Sequence, residues 1–104
     1  MMVASLMYPG GDDVRFDEGY YFNSHIPLAQ RLWAEAGPSK FEILRGVATP
    51  DGGEPPYRMV ALLSFPTAEA LNSAFDSDTG RTLLADIQNF TNRPPTIQIS
   101  EQVA

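Results

Sequence analysis

The chain has 104 residues, of which 43% are hydrophobic and 19% charged, and it contains no cysteine. A chain of this length folds around a single hydrophobic core, so we expect residues 1–104 to form one domain. The lack of cysteine excludes disulfides, thiolate nucleophiles, iron–sulfur clusters and cysteine-based zinc sites. A domain this small also has little room for a fully enclosed active site of its own.

Thirteen acidic residues against seven basic ones give the chain a formal net charge of −6. Its arginines and its single lysine are scattered, whereas nucleic-acid binding needs clustered basic residues. No apolar run approaches the ~20 residues of a membrane span. The first residues also lack the basic and apolar regions of a signal peptide. We therefore expect no nucleic-acid or membrane partner, and a cytoplasmic location.

A change in apolar period separates the first predicted strand from the first predicted helix. Residues 2–8 form a strand-like run that Pro9-Gly10-Gly11 closes. From Phe16 onward apolar residues recur at helical spacing, with Asp17 as N-cap and Gly37-Pro38 as the end. The main stripe, in which Phe22 and Trp33 are expected to be core residues, is Phe22, Ile26, Ala29, Trp33 and Ala36; a second stripe beside it is Tyr21, His25, Leu28 and Leu32.

Pro27 lies inside this helical segment. A proline has no backbone N–H and its ring crowds the preceding turn, so we expect the helix to kink or split just after His25. A break there frees backbone carbonyls, and it directs His25 differently from its neighbours.

The rest of the chain predicts three strands and more helix. Residues 40–48, 57–65 and 96–103 read as strands, and the Gly- and Pro-rich residues 49–56 as an exposed loop outside the core. A second helix begins after Pro66-Thr67. Its core side is formed by Ala70, Leu71, Ala74 and Phe75. A short helix or turn capped by Asp78 follows, with Leu83, Leu84, Ile87 and Phe90 toward the core.

The order β-α-β-β-α-β predicts an α+β, ferredoxin-like fold, with one four-stranded antiparallel sheet and both helices on one face. Residues 57–65 are apolar on both faces, so Val60 and Leu62 point to the face without helices. No other element of the chain is left to cover that face. We therefore expect a homodimer in which two copies pair through the open sheet face.

Several residues in the first half of the chain follow one pattern, FDxxYYxxxHxPL, formed by Phe16-Asp17, Tyr20-Tyr21, His25 and Pro27-Leu28. With the strand Val3–Tyr8 before it and Asn89-Phe90-Thr91 near the end, the chain resembles the EthD family over nearly its whole length. That family is named after ethyl tert-butyl ether degradation and belongs to the dimeric α/β-barrel superfamily. The resemblance implies two sheets paired as a barrel, and a cleft between sheet and helices.

What the resemblance implies about activity is broad. Related dimeric barrels include polyketide cyclases, lactone isomerases, cofactor-free monooxygenases and haem-binding enzymes. The resemblance therefore leaves the reaction open between an oxidoreductase and an isomerase or cyclase. It equally allows an enzyme accessory that catalyses nothing.

His25 is the only histidine of the chain, and histidine is the natural general acid or base near neutral pH. Tyr21 lies one helical turn before it and could orient it. The family motif also places a histidine here. A structural role in which His25 binds backbone groups freed at Pro27 is equally open. If His25 is functional, we expect it to face a partly open cleft within reach of a tyrosine hydroxyl.

Tyr8, Tyr20, Leu28 and Phe90 are expected to line a pocket for a hydrophobic ligand. We expect no metal site: residues 76–80 begin like a calcium loop, but Gly80 and Arg81 stand where an oxygen ligand and a glycine are required. No cofactor is expected either, with haem on His25 as the weaker alternative.

The sequence thus favours a small enzyme or enzyme accessory that binds an aromatic or cyclic molecule in a helix–sheet cleft. His25 would transfer a proton, and Tyr8 or Tyr21 would polarise a substrate oxygen. The alternatives are a cofactor-free monooxygenase or related oxidoreductase, and a dimer that binds a ligand without catalysis.

Overall fold

Strands and helices alternate in the order β-α-β-β-α-β in the computed structural model, which describes residues Met1–Ala104. This is the predicted ferredoxin-like α+β fold. The strands are β1 (Met2–Pro9), β2 (Lys40–Arg45), β3 (Tyr57–Phe65) and β4 (Thr96–Glu101). The helical elements are α1 (Glu18–Tyr20), a π-helical turn (Tyr21–His25), α2 (Ile26–Leu32), α3 (Ala68–Phe75), α4 (Asp78–Asp86) and a 3-10 turn (Ile87–Asn89). None of the helices has both the length and the apolar character that crossing a bilayer requires.

The sheet has the strand order β2-β3-β1-β4, and every neighbouring pair is antiparallel. Because side chains alternate along a strand, β1 and β3 each present one set of residues to the helices. These residues, which are buried, are Ala4, Leu6, Tyr8, Met59, Ala61, Leu63 and Phe65. The core therefore lies between the helices and one face of the sheet.

The opposite face of the sheet is uncovered, as the pattern of residues 57–65 predicted. Val60 and Leu62 lie on it, next to Met7 and Ser5 of β1. All four are only half-buried, although their strands occupy the middle of the sheet. This face therefore has an apolar centre that no helix of the same chain protects from water.

The helix around Pro27 splits where the sequence predicted, through a π-helical turn. The N–H of Ile26 bonds to the carbonyl of Tyr21, five residues back. This wider turn relieves the crowding that the proline ring would cause in an α-helix. The extra residue also rotates the helix, so Tyr21 and His25 are buried while Phe22 is 38% exposed. The expectation that Phe22 belongs to the core is wrong for this reason.

The first helical segment begins as predicted and ends early. Asp17 is the N-cap, and its Oδ1 accepts from the N–H of Tyr20 at 3.0 Å. The helix ends at Leu32, not at Gly37. At that point Trp33 leaves helical geometry, and its indole Nε1 donates to the carbonyl of Ala74 at 3.3 Å. The bond to α3 places Trp33 in the core, as predicted.

Two predicted strands are longer than the strands observed. The second strand ends at Arg45, and Val47 beyond it is 84% exposed. Between them Gly46 passes close to β3, since a Cβ on it would lie 2.0 Å from the carbonyl oxygen of Tyr57. The last strand ends at Glu101, because Glu101 pairs with Met2, the first residue of β1. Residues 49–56 form the exposed loop that was predicted and contribute nothing to the core.

The junction between α3 and α4 is tightly packed. Ser77, not Asp78, caps α4, because Ser77 has extended backbone angles and its Oγ accepts from the N–H of Gly80 at 3.0 Å. Gly80 is buried against the end of α3, and a Cβ on it would lie 2.3 Å from the carbonyl oxygen of Ala74. Only glycine fits this approach of two helices.

Gly80→Ala is expected to destabilise the protein, although alanine normally favours a helix. The added Cβ overlaps backbone atoms that cannot move aside, so the free energy of unfolding should fall by about 1–3 kcal/mol. The matched control is Gly19→Ala in α1, where the nearest atom is a carboxylate oxygen of Asp17 at 3.3 Å. Gly19→Ala should alter the free energy of unfolding by less than about 1 kcal/mol. Urea unfolding measures both, and equal effects would contradict the packing described.

Candidate functional site

His25 lies at the end of the π-helical turn, and its side chain points into the protein. The residue is 7% exposed. Its ring lies 4.7 Å from the ring of Phe90 and 5.7 Å from that of Tyr21, measured between centroids, and is nearly parallel to Tyr21. Aromatic rings thus cover the imidazole, and its polar atoms depend on specific partners.

The partner of His25 is the carboxylate of Asp86, at the end of α4. Nδ1 of His25 lies 2.8 Å from Oδ2 of Asp86, whose side chain is 12% exposed. The other oxygen, Oδ1, accepts hydrogen bonds from the hydroxyl of Tyr20 at 2.7 Å and from Nδ2 of Asn89 at 2.9 Å. Three side chains therefore direct hydrogen bonds to one partly buried carboxylate.

These hydrogen bonds decide the protonation of the site. Burial by itself raises the pKa of Asp86, but the hydrogen bonds from His25, Tyr20 and Asn89 outweigh it and hold that pKa below its usual value. The carboxylate is thus ionised at neutral pH, and it requires a proton on Nδ1 of His25. In the neutral imidazole, Nε2 is then an acceptor. The only side-chain hydrogen bond of His25 is the one from Nδ1. The hydrogen bond to the same carboxylate raises the pKa of Tyr20, and burial adds to that effect.

A cavity of about 30 Å³ lies between the helices and the sheet, with the volume of one or two water molecules. His25, Tyr21 and Tyr8 line it, and nearly all its other walls are apolar. The Tyr21 hydroxyl is completely buried, and no protein atom forms a hydrogen bond with it. Burial raises the pKa of Tyr21 and of Tyr8, so both phenols stay protonated at neutral pH.

An aromatic cluster surrounds one side of His25. The rings of Tyr8, Phe16, Tyr21 and Phe90 all contact one another, with centroids 5.1–5.7 Å apart. Backbone contacts hold it together: the N–H of Asp17 donates to the carbonyl of Phe90 at 2.7 Å. The start of the first helix and the end of the last are thereby joined beside the site.

The structure brings together most of the residues that the sequence singled out. His25, Tyr21 and Tyr8 line one cavity, and Phe90 packs on His25. Tyr20 joins the group through its hydrogen bond to Asp86 and by stacking on Phe90, with ring centroids 6.2 Å apart. Leu28 packs half-buried against the core and does not line the cavity.

The surroundings of His25 are more enclosed and more acidic than the sequence indicated. The residue is 7% exposed, and the hydrogen-bond partner of Nδ1 is the carboxylate of Asp86. Tyr21 lines the same cavity as His25, and whether that cavity admits a ligand stays a prediction. The alternative role, binding backbone groups freed at Pro27, is not observed, since His25 bonds to a side chain.

Sequence reasoning missed Asp86 and Asn89. Asp86 is 61 residues from His25, so no local spacing relates the two. The available signal was that Asp86 is the only charged residue in the run LLADIQNF, residues 83–90, which is otherwise mostly apolar. A lone acid in such a run often has a specific partner.

Comparison with known proteins gives one family and a wider fold group. The sequence profile of the EthD domain matches residues 11–94. An EthD-like protein from Ralstonia eutropha JMP134 is 28% identical, with a TM-score of 0.85 over 99% of this chain and 92% of that one. An ethyl tert-butyl ether degradation (EthD) family protein from Bacillus halodurans C-125 is 24% identical, with a TM-score of 0.79 over 99% and 100%. A putative antibiotic biosynthesis monooxygenase from Nitrosomonas europaea shares the fold, at 16% identity and a TM-score of 0.65 over all of both chains. No curated protein sequence is similar to this chain.

Asp86→Asn is expected to destabilise the protein at neutral pH, because it removes the negative charge to which three side chains donate hydrogen bonds. The free energy of unfolding should fall by about 1–3 kcal/mol. The folded pKa of Asp86 lies below its ordinary value of 3.8. The stabilisation is therefore complete above that pH and is lost as the pH falls through the folded pKa.

The difference in the free energy of unfolding between wild type and Asp86→Asn should thus be large at pH 7 and smaller at pH 3. Asp12→Asn, at an exposed position without side-chain partners, serves as the control. It should change the free energy by less than about 0.5 kcal/mol at either pH. A difference for Asp86→Asn that is the same at both pH values would contradict this account.

Proposed function

The chain belongs to the EthD family, and we propose that it binds a small aromatic or cyclic molecule beside His25, which transfers a proton to or from it. The observation that carries the proposal is the hydrogen bond between Nδ1 of His25 and the ionised carboxylate of Asp86. It leaves Nε2 as a proton acceptor among apolar side chains.

Asp86 acts as a positioning residue in this proposal. Its hydrogen bond selects the imidazole tautomer with the proton on Nδ1 and holds the ring in one orientation. When Nε2 takes a proton, the carboxylate stabilises the imidazolium that forms. The apolar surroundings strengthen that stabilisation, since charges interact more strongly where water is excluded. Tyr20 and Asn89 hold the carboxylate in place from its other oxygen.

The apolar walls favour a hydrophobic ligand. Tyr8 and Phe90 are buried next to His25 and offer ring edges and faces rather than charges. Edge-to-face contact between aromatic rings adds to the favourable burial of apolar surface. A ligand with a flat or cyclic apolar body therefore suits this pocket better than a highly charged one.

The proposal is tested by screening cyclic and aromatic compounds against ¹⁵N-labelled protein, with the imidazole of His25 as the reporter. In the wild type, we expect the ¹⁵N shifts to show the Nδ1–H tautomer, and compounds that bind to shift the Nε2 resonance. Any reaction found should fall by about 10²–10⁴-fold in His25→Gln. Asp86→Asn should redistribute the tautomers and reduce the rate, whereas Asp12→Asn should do neither.

A purely ligand-binding role makes a different prediction. Compounds would then bind beside His25 with the same affinity in the wild type and in Asp86→Asn, since no step would depend on the tautomer. Binding with no perturbation of the His25 resonances would count against any role of His25 at the ligand.

We also propose that two copies pair through the open sheet face. The support is the apolar centre of that face, where Val60 and Leu62 stay half-buried in the single chain. Face-to-face packing of two sheets would bury these side chains. In a dimer with two-fold symmetry, the same face of each copy would form the interface.

Light scattering should give about twice the chain mass of 11.4 kDa. Leu62→Lys should shift the protein to the monomer, because the new charge lies in the proposed interface. The fold should tolerate the change, because Glu42, which is opposite residue 62 on β2, can form an ion pair with the new lysine. Ile99→Lys is the matched control: Ile99 is 54% exposed but lies on the helix side of β4. Its mass should remain that of the wild type. A wild-type monomer, or the same mass in all three proteins, would refute the interface.

A further inference from the structure

Two residues that line the cavity beside the π-helical turn carry polar groups of complementary kind. The Tyr21 hydroxyl is buried without a partner in the protein, and Nε2 of His25 has no donor. Both residues line the same cavity, which has few other polar groups. A buried hydroxyl without a partner lowers stability, so its presence points to a ligand that bonds to it.

The two groups differ in what they offer. The phenol of Tyr21 stays protonated and is a donor, while Nε2 of His25 is an acceptor as long as Asp86 holds the proton on Nδ1. Their rings are nearly parallel, with centroids 5.7 Å apart. The matching ligand therefore carries an oxygen that accepts a hydrogen bond, next to an atom that can give up a proton.

The charge of the protein further restricts the chemical class of the ligand. The Asp86 carboxylate lies 2.8 Å from the imidazole, and the chain has a net charge of −6. A carboxylate or phosphate ligand would be repelled by both, whereas a pure hydrocarbon would leave the Tyr21 hydroxyl unpaired. A neutral carbonyl compound avoids both penalties.

We propose that the site takes a neutral cyclic ketone or a similar enolisable carbonyl compound, whose oxygen accepts from Tyr21 and whose α-proton goes to His25. This inference rests on the proposed function and specifies its substrate class. The Nε2 lone pair takes the proton, and the electrons of the C–H bond form a C=C bond. The carbonyl π electrons move to the oxygen, where the Tyr21 hydroxyl stabilises the negative charge. Return of the proton from the imidazolium to carbon reverses the step, so no oxidant or other reactant is needed.

An adjoining groove has room for the ring of such a compound. The cavity of about 30 Å³ is too small for it, but a groove of about 330 Å³ between α4 and β4 shares Leu84 and Ile87 with the cavity. Leu84, one of the two shared residues, is 37% exposed. With Leu84 turned aside, the ring would lie in the groove on Ile97 and Pro95 while its carbonyl reaches Tyr21 and His25.

The probe for this inference is cyclohexanone, and the matched control is methylenecyclohexane, which has the same shape but no oxygen. In D₂O, proton NMR follows the exchange of the α-hydrogens of cyclohexanone for deuterium. We expect the wild type to accelerate this exchange over buffer alone. Tyr21→Phe should slow it by about 10²–10³-fold, and Leu84→Ala, which widens the entrance, should not slow it.

Tyr21→Phe also separates a role at the ligand from a role in the fold. Because the hydroxyl has no partner in the protein, its removal should leave the melting temperature unchanged or raised. In shift titrations, the wild type should bind cyclohexanone about 5- to 10-fold more tightly than methylenecyclohexane. That preference should disappear in Tyr21→Phe.

The outcomes distinguish the two proposals. If cyclohexanone and methylenecyclohexane bind equally, or if the wild type does not accelerate the exchange, the carbonyl inference is wrong; proton transfer by His25 then still depends on the compound screen. If exchange is accelerated but Tyr21→Phe exchanges as fast as the wild type, Tyr21 is not the donor and the inference is also wrong. If the exchange is as fast in His25→Gln as in the wild type, both proposals fail.

Discussion

Pro27 imposes the constraint on which the candidate site depends. A proline in the middle of a helix cannot donate to the carbonyl four residues back, and its ring pushes that carbonyl away. The chain responds with a π-helical turn over Tyr21–His25, which adds one residue to the turn and rotates the helix surface. Tyr21 and His25 thereby become core residues, and Phe22 is displaced to the surface beside Arg45. Helices are often interrupted in this way at functional positions.

Burying an imidazole requires a partner, and the fold supplies it from the far end of the chain. Asp86 ends α4, and its carboxylate receives His25 on one oxygen and Tyr20 and Asn89 on the other. The network connects the first helical segment to the last. Because the carboxylate is ionised, its effect on His25 is chemical as well as structural: it decides which nitrogen carries the proton. In an apolar pocket, this is the main difference between a histidine that only packs and one that can accept a proton.

The two faces of the sheet differ in what covers them. One face carries the helices and contains the candidate site, between the aromatic cluster and α4. The other has an apolar centre at Val60 and Leu62 that the chain leaves uncovered. Pairing of two copies on that face would leave the groove between α4 and β4 accessible, because the groove lies on the helix side. The proposed assembly and the proposed ligand site would therefore not compete for the same surface.

The order of strands and helices along the chain, the helix break and the uncovered sheet face were all predictable from the sequence, because local periodicity and the chemistry of proline decide them. Residues 57–65 are apolar on both faces wherever they lie in space, and Pro27 lacks its N–H in any fold. The direction of the rotation at the break was not predictable, so Phe22 was assigned to the main core stripe and Tyr21 and His25 to a second stripe beside it. The partner of His25 was equally hidden: Asp86 is 61 residues away, and only the packing of α4 against the first helical segment brings the two together. Local forces determine the elements, whereas the protonation and enclosure of the site depend on contacts between residues distant in sequence, which exist only in the folded chain.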